Sequence, residues 1–327
     1  MTRFDLCAIG NALVDVLSQE PEEFVIRTGV QRGAMTMVDA ARAEEIYSHM
    51  GPALERSGGS AANTAAGLTS LGGNAAYIGR VADDTFGKIF THDLRNIGVQ
   101  FDAPFSTGDE PTGRCLVIVT PDAQRTMCTH LGAASELDAS LIDEQILRDT
   151  QVTYVEGYLW DQPAAKEAIR SAAAITHAYG QRFALTLSDP FCVERHRQEF
   201  LQLAEHHVDV LFANEHEITM LYETDTFDEA LQHVRGHCEI AALTRGARGS
   251  VIVSGDELHV IDPVPTAVVD TTGAGDLFAA GFLYGLTHGH DLETCGRLGS
   301  LAASEIISHL GARPAVSLAG LARDLLG

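Results

Sequence analysis

The stretch Asp270-Thr271-Thr272-Gly273-Ala274-Gly275-Asp276 separates the apolar run Ala267-Val268-Val269 from the helix-like segment Leu277-Phe278-Ala279-Ala280. This order predicts a strand that breaks into glycines and restarts as a helix. The first backbone N–H groups of such a helix have no acceptor within it and point in one direction, with the positive end of the helix dipole behind them. Glycine lets that backbone approach a ligand closely. The stretch therefore predicts an anion-binding turn.

Asp276 places a carboxylate in the first turn of this helix, where it would repel a bound phosphate. Accepting a proton from an attacking hydroxyl would explain it, because an ordinary aspartate fulfils that role in phosphoryl transfer. A structural explanation is equally open for this stretch alone, since Asp is favoured near helix N-termini and Gly in turns. The chain has no G-x-x-x-x-G-K-[ST] motif, and Phe278 stands where a dinucleotide fingerprint needs its third glycine.

Length and composition narrow the class of protein. The 327 residues are 45% hydrophobic, and we expect one domain over 1–327. The 45 acidic residues outnumber 22 Lys and Arg, and the net charge of −23 argues against nucleic acid or an anionic membrane as a partner. Six cysteines without C-x-x-C spacing indicate free thiols and a cytoplasmic protein. We expect no signal peptide and no membrane span, which would need ~20 apolar residues.

Short apolar runs alternate with longer helical patterns. This alternation predicts an α/β fold in three layers, with a mostly parallel central sheet between two layers of helices. The predicted strands are 6–9, 75–79, 152–155, 183–187, 208–212 and 240–244. Ligands of such sheets bind at the carboxyl ends of the strands. Asn11, Asp189, Asn214 and the turn 270–276 all follow strand ends, so we expect them to converge.

Two segments, approximately 15–39 and 99–131, do not follow the alternation. Residues 113–119 and 125–129 are predicted strands joined by a turn at 121–123. Strand pairs inserted beside an early βα unit indicate a small β-sheet lid over the edge of the main sheet. Excluding water from a phosphoryl transfer is a physical reason to have one. Strands of such a lid could also pair between subunits, so we expect a monomer or a homodimer.

Polar residues near the first strand and helix are candidates for binding an acceptor. Asp15 lies among apolar neighbours, where an unpaired charge is costly. The vicinal hydroxyls of a ribose or another sugar would satisfy it, although a lid-hinge cap or an arginine partner is equally open. Gly58-Gly59-Ser60 and Asn63 could present backbone and amide donors to the same ligand. The alternative there is a plain helix start with Ser60 as N-cap.

Three further motifs are candidates for the nucleotide side. Asn214 and Glu217 share one helix face and could order the waters of a Mg²⁺ ion, or could form a simple N-cap with solvated acids. Arg125 could neutralise a transferring phosphate, or could be a surface arginine. The segment Thr244-Arg245-Gly246-Ala247-Arg248-Gly249 suits a loop along a nucleotide, and a hairpin turn before Ser250 explains it equally well.

Together these motifs resemble the PfkB-type carbohydrate kinase family, which includes ribokinase and adenosine kinase. The resemblance runs from Gly10-Asn11 to Gly311, and 270–276 is its most specific part. Its other elements are Gly58-Gly59-Ser60-Ala61-Ala62-Asn63, Gly79 to Gly87 and Asn214-Glu215-His216-Glu217. The resemblance implies a ribokinase-like fold and the ATP-dependent phosphorylation of a hydroxymethyl group on a nucleoside or sugar, with Mg²⁺ as cofactor.

The resemblance also implies a role for each matching residue. Asp276 would deprotonate the acceptor hydroxyl, and Asp270 with Thr272 matches part of a potassium site found in some members. Glu217 would bind Mg²⁺ through water. The other implied groups are Gly273, Ala274, Gly275 and Arg125 around the transferred phosphoryl group, Asn11, Asp15, Gly58, Gly59, Ser60 and Asn63 around the acceptor, and Asn214, Thr244, Gly246, Gly249 and Thr272 along ATP.

Several segments look more like adenosine kinases than ribokinases: Gly10 to Asp15, Pro111-Thr112-Gly113, Leu187 to Phe191 and Val208 to Glu215. A purine also needs apolar walls, which Met127 and Tyr158, with Met35 and Met37, could provide. Conversion of adenosine to AMP is therefore favoured. Ribose, fructose, 2-keto-3-deoxygluconate or another nucleoside are alternative acceptors, and a non-catalytic nucleoside or sugar sensor is an alternative of another class.

Overall fold

Strands and helices alternate along the chain in a computed structural model, which describes residues 2–33, 35–122 and 124–326. The strands are β1 (Phe4–Ile9), β2 (Leu13–Gln19), β3 (Met35–Met37), β4 (Ala53–Gly58), β5 (Ala75–Ile78), β6 (Thr112–Val119), β7 (Arg125–Gly132), β8 (Thr150–Glu156), β9 (Arg182–Thr186), β10 (Val210–Asn214), β11 (Ile240–Thr244), β12 (Ser250–Ser254) and β13 (Glu257–Ile261). The helices are α1 (Glu22–Thr28), α2 (Ala40–His49), α3 (Ser60–Ser70), α4 (Thr85–Asn96), α5 (Glu144–Arg148), α6 (Pro163–Ala178), α7 (Pro190–His206), α8 (Glu215–Tyr222), α9 (Phe227–Val234), α10 (Ala274–Thr287), α11 (Leu292–Ile306), α12 (Leu318–Leu321) and α13 (Arg323–Leu326).

The main sheet has the strand order β13-β12-β11-β10-β9-β8-β1-β5. Neighbouring strands from β11 to β5 are parallel, and β12 and β13 form an antiparallel edge. All six strands predicted for this sheet are present. Successive residues face opposite sides: Ala8 and Tyr154 pack with α3, α10 and α11, whereas Cys7 and Val155 pack with α6 to α9. The predicted three-layer, mostly parallel α/β fold is confirmed.

A second sheet has the strand order β3-β7-β6-β2-β4. Three residues connect β1 of the main sheet to β2 of this second sheet. The predicted lid segments 15–39 and 99–131 do not contain strand β4 of this sheet. Residues 101–111 belong to the second predicted segment but form none of the strands of the sheet. Hydrophobic periodicity could not find β4, because it is an edge strand with the polar sequence Ala-Leu-Glu-Arg-Ser-Gly. Of the predicted turn 121–123, Ala123 lies outside the described residues.

The strand predicted at Ala267-Val268-Val269 is absent from the described structure. Val268 and Val269 are 61% and 46% exposed and belong to neither sheet. The backbone N–H of Val269 donates instead to the carbonyl oxygen of Ile307, just after α11, at 2.8 Å. Pro263 and Pro265 precede this run and lack the N–H groups that a strand ladder needs. An apolar run of three residues was therefore insufficient to predict a strand.

Helix α10 packs closely against α11 and α3 through glycines. A Cβ at Gly281 of α10 would overlap the carbonyl group of Leu298 in α11, and a Cβ at Gly67 of α3 would overlap Leu277 and Ala280 in α10. These contacts bring the N-terminal ends of α3 and α10 together. Within the described residues, none of the helices is both long and apolar enough to cross a membrane.

Replacing Gly281 by alanine is expected to lower the free energy of unfolding by about 1–3 kcal/mol, because the added methyl group must push α10 away from the Leu298 carbonyl. Gly320→Ala is the matched control, since a Cβ there meets nothing within 4 Å and alanine favours the helix by up to ~1 kcal/mol. Urea unfolding followed by circular dichroism measures both. Equal midpoints for Gly281→Ala and the wild type would contradict the close helix contact.

Candidate active site

The carboxyl ends of the parallel strands meet at one edge of the main sheet. Ile9 of β1 is in register with Val155 of β8, so Asn11 and Glu156 follow neighbouring strands. Asn214 of β10 is paired with Thr244 of β11. These polar groups lie at the edge where the N-terminal ends of α3 and α10 also arrive, as the sequence predicted for a ligand site.

Asp276 is held by two side chains from the start of α3. The Ser60 hydroxyl donates to Oδ1 of Asp276 at 2.6 Å, and Asn63 Nδ2 donates to Oδ2 at 2.9 Å. Ser60 is therefore not the N-cap of α3; Gly59 occupies that position, and the Ser60 hydroxyl is directed to Asp276 instead. The three residues that the sequence placed in one site are in direct contact.

The surroundings of Asp276 make its carboxylate a stronger base than a solvated one. Burial raises the pKa of Asp276, and the hydrogen bonds from Ser60 and Asn63 and the nearby Arg313 cation oppose part of that rise. A carboxylate with a raised pKa accepts a proton more readily at neutral pH. Asp276 thus carries a carboxylate whose pKa shift favours the acceptance of a proton.

Asp15 lies on β2 and lines a cavity of about 450 Å³ between the second sheet and residues 310–313. Burial is the largest cause of a rise in the pKa of Asp15 to about 6; Asp276 adds to it and Arg313 opposes it. Gly58 leaves room for the Asp15 carboxylate, which a Cβ at Gly58 would overlap. Gly59 has a φ of +93° and lies against the Asn11 carbonyl oxygen, so a side chain at position 59 is excluded.

Glu156 is a functional candidate that the sequence analysis missed. Its buried carboxylate accepts hydrogen bonds from the Asn11 backbone and side-chain N–H groups at 2.8 and 2.7 Å, and from the Ala61 backbone at 2.9 Å. Burial raises its pKa to about 7. Glu156 thus ties the end of β1 to the start of α3. Its position after the apolar run Val152-Thr153-Tyr154-Val155 is the signal that could have identified it.

Arg125 of β7 connects the second sheet to the glycine turn. Its guanidinium forms an ion pair with Asp270 and donates to the Thr272 hydroxyl at 2.7 Å. Oδ1 of Asp270 also accepts from the Thr272 backbone, and Oδ2 accepts from the Gly311 backbone, both at 3.0 Å. Both oxygens of Asp270 have donors and Arg125 already supplies a positive charge, so a potassium ion would have to compete with the guanidinium for this carboxylate.

The turn before α10 has the backbone form expected of an anion site. Gly273 is the N-cap, with a left-handed φ of +77°. The Ala274 N–H donates to the Thr271 carbonyl oxygen at 3.2 Å and is therefore engaged within the turn. Gly275 and Asp276 follow as the next residues of the helix, where backbone N–H groups have no intrahelical acceptor. The amides best placed for an anion are therefore those of Gly275 and Asp276.

Asn214 and Glu217 form a capping box at the start of α8. Glu217 accepts from the Asn214 backbone at 2.8 Å and from its side chain at 2.5 Å, and the Glu217 N–H donates back to Asn214 Oδ1 at 2.9 Å. The predicted N-cap is present, but Glu217 is buried rather than solvated, and burial raises its pKa to about 7. Over the described ranges, no cluster of three or more His, Cys, Asp or Glu could hold a metal ion. A Mg²⁺ ion here would rely on phosphate and water ligands.

The remaining predicted residues lie in the β11–β12 hairpin, on the second sheet and just after β8. Thr244 pairs with Ser250 in an antiparallel β11–β12 hairpin, so the segment from Thr244 to Gly249, which contains Gly246, is a hairpin connection. Met127 packs on the second sheet beside Cys115, Val117 and Val119.

Tyr158 donates through its hydroxyl to the Ser188 carbonyl oxygen at 3.4 Å. Neither Met127 nor Tyr158 is among the residues that line the cavity, and Met35 and Met37 are exposed on β3. The apolar wall of the cavity is formed instead by Leu17, Pro52, Leu54, Val119 and Leu310.

The same fold occurs in known proteins. The pfkB family carbohydrate kinase model matches residues 34–318. A probable sugar kinase from Rhizobium etli is 50% identical over 99% of both chains, with a TM-score of 0.93. The adenosine kinase from Sinorhizobium meliloti is 51% identical over 98% of this chain and 99% of that one, with a TM-score of 0.92. An uncharacterized sugar kinase from Archaeoglobus fulgidus is 31% identical over 76% of this chain and 96% of its own length.

The chain belongs to the pfkB family of carbohydrate kinases. It is a phosphotransferase of the sugar and nucleoside kinase class, and a kinase of this family uses ATP.

Replacing Asp276 by asparagine is expected to lower kcat by about 10²–10⁴-fold, because the amide keeps the shape of the side chain but cannot accept the proton. Nucleotide binding should persist, since positioning does not require the base. Asp291→Asn is the matched control at the exposed N-cap of α11, where asparagine caps equally well. A coupled ADP-release assay and calorimetric titration with ATP measure the two effects. Turnover within twofold of the wild type would exclude Asp276 as the base.

Proposed function

We propose that this protein transfers the γ-phosphoryl group of ATP to the hydroxymethyl group of a nucleoside, with adenosine as the acceptor and AMP as the product. The observation that supports this most directly is the contact of Asp276 with Ser60 and Asn63, one turn from a glycine-capped helix start. It joins a basic carboxylate to two polar side chains at the start of an anion-binding turn.

Two groups support the binding of an acceptor that carries hydroxyls. Asp15 presents a carboxylate to the cavity, and a carboxylate can accept two hydrogen bonds from vicinal hydroxyls. Asn63 Oδ1 is buried and has no hydrogen-bond partner within the described part of the chain. Such an atom is costly unless a ligand pairs with it. We propose that the acceptor sugar satisfies both, which would bring its hydroxymethyl group to Asp276.

The proposed reaction is an in-line displacement. Asp276 accepts the proton of the acceptor hydroxymethyl group as its oxygen bonds to the γ-phosphorus, and the bond from that phosphorus to ADP breaks with its electron pair leaving on ADP. The amides at Gly275 and Asp276 and the guanidinium of Arg125 would offset the charge on the moving group. When bound, Mg²⁺ neutralises the phosphates of the nucleotide, and Asn214 and Glu217 would hold it through water.

The second sheet is proposed to act as a lid on this site, in a single domain over 1–327. Its face that carries Asp15 and Leu17 forms one wall of the cavity. Arg125 extends from the same sheet to Asp270 and Thr272 of the turn. A sheet held in this way would exclude water that otherwise competes with the acceptor for the phosphoryl group.

The cavity walls favour a nucleoside over a free sugar. Leu17, Leu54, Val119 and Leu310 give the cavity an apolar side next to the carboxylate of Asp15, a combination that suits a base attached to a sugar. The relative from S. meliloti is named an adenosine kinase, whereas the one from R. etli is named a probable sugar kinase. Ribose, fructose, 2-keto-3-deoxygluconate and other nucleosides are therefore the alternatives that an assay must separate.

With Mg-ATP, we expect kcat/KM for adenosine to exceed that for ribose or fructose by at least roughly tenfold, because burial of an apolar base against the cavity wall contributes more than ~1.4 kcal/mol. Leu17→Ala should reduce this preference and leave kcat/KM for ribose nearly unchanged. The panel is adenosine, cytidine, inosine, ribose, fructose and 2-keto-3-deoxygluconate, assayed by ADP release with mass spectrometry of the product. A sugar as the best acceptor would overturn the nucleoside assignment, and binding without turnover would favour a sensor.

A further inference from the structure

Arg313 bridges the junction between the second sheet and the main body. Its Nε donates to the Ser57 carbonyl oxygen and its Nη2 to the Ser57 hydroxyl, both at 3.1 Å, while Nη1 donates to the Ala62 carbonyl oxygen. Ser57 belongs to β4 of the second sheet, and Ala62 belongs to α3. The residues between them, 58–61, include the Gly59 N-cap and the Ser60 hydroxyl that binds Asp276. One guanidinium therefore holds both ends of this connection.

Ser57 and the segment that carries Arg313 are each held by further hydrogen bonds. The Ser57 N–H donates to Oδ2 of Asp93 in α4 at 2.9 Å, so Ser57 is held from two directions. The segment that carries Arg313 is anchored by the Gly311 N–H on Asp270 and by the Ala315 N–H on Glu305 Oε1, at 3.0 and 2.9 Å. Arg313 thus connects the glycine-turn side of the site to the α3 side.

The charge of Arg313 lies beside two carboxylates of the site. Arg313 lines the same cavity as Asp15, and its charge acts on Asp15 and Asp276 together. Its described hydrogen bonds go to carbonyl and hydroxyl oxygens, so no single carboxylate takes up the charge. Two neighbouring carboxylates would otherwise oppose each other's ionisation.

We propose that Arg313 is a positioning residue for the phosphoryl transfer: it fixes the segment 58–61, which carries Ser60 and leads directly to Asn63, and its charge favours the ionised forms of Asp15 and Asp276. This inference rests on the proposed function, because it assigns Arg313 a role in the same site. Lysine would keep the charge but lose the fork of donors that binds Ser57 and Ala62 together.

The direction of the pKa changes agrees with this geometry. Arg313 lowers the pKa of both Asp15 and Asp276 against the rise caused by burial. Burial lowers the pKa of Arg313 to about 10, which still leaves the guanidinium charged at neutral pH. The other titratable groups that face these three are Asp93 and Tyr77 near Arg313, Arg125 near Asp15, and Glu156, Tyr154 and Tyr158 near Asp276.

The test compares Arg313→Met, Arg313→Lys and, as a control, Arg323→Met at an exposed position in α13. In Arg313→Met we expect kcat/KM to fall by about 10–100-fold and the acidic limb of its pH profile to move about one pH unit upward, since carboxylates without the cation ionise at higher pH. Arg313→Lys should return the acidic limb to its wild-type pH but should restore only part of kcat/KM. Arg323→Met should match the wild type in both.

If kcat/KM of Arg313→Met falls while the acidic limb stays at its wild-type pH, the role of Arg313 is purely structural and the proposal is overturned. The proposal is also overturned if Arg313→Lys fails to return the acidic limb to its wild-type pH. Urea midpoints show whether each variant folds. A ¹³C NMR titration of the aspartate carboxyl carbons, with the Asp276 signal assigned by its loss in Asp276→Asn, reads ionisation without turnover. If the wild type phosphorylates no acceptor, the proposed function fails, while this titration still decides the role of Arg313.

Discussion

Asp276 keeps its place because Gly67 of α3 lets the Leu277 and Ala280 side chains of α10 pack directly against the α3 backbone. Gly67 and Gly281 remove the methyl groups that would separate α10 from α3 and from α11. Only at this separation can the short side chains of Ser60 and Asn63 reach the carboxylate. The hydrogen bonds at the site are therefore a consequence of helix packing one to two turns away along α3. A dense interior transmits such constraints, because it has little free space in which a shift can be absorbed.

The site combines four acidic side chains with two arginines whose positive charge offsets part of the negative charge of the molecule. Four acidic side chains, Asp15, Glu156, Glu217 and Asp276, have pKa values raised by burial at one edge of the main sheet. A polyanionic nucleotide would be repelled by such a group in a protein of charge −23. Arg125, on Asp270 of the glycine turn, and Arg313, between Ser57 and Ala62, place positive charge in this region and act at short range, where screening is weakest.

The central sheet and much of the candidate site could be predicted because their signals are local. A buried parallel strand is a short apolar run, and Asp276, Asn63 and Asn214 follow strand ends or open helices. Glu156 and Arg313 were missed because both stand outside the motifs that carry the family resemblance, and their partners are 145 and 256 positions away, respectively. Contacts at such separations leave no periodic pattern in the sequence. Strand β4 was missed because its sequence is polar, and a strand was wrongly predicted before the turn because its two valines are exposed.

The tight contact of α3 with α10 also determines which parts of this protein are free to diverge. A larger residue at Gly67 would overlap Leu277 and Ala280 of α10, so the Asp276 carboxylate and its two partners are constrained together. The half-buried wall formed by Leu17 and Leu54 is under no such restriction, because its side chains face an open cavity. If the proposed function holds, evolution or an engineer can therefore exchange one acceptor for another along that wall while Asp276 and its partners stay unchanged.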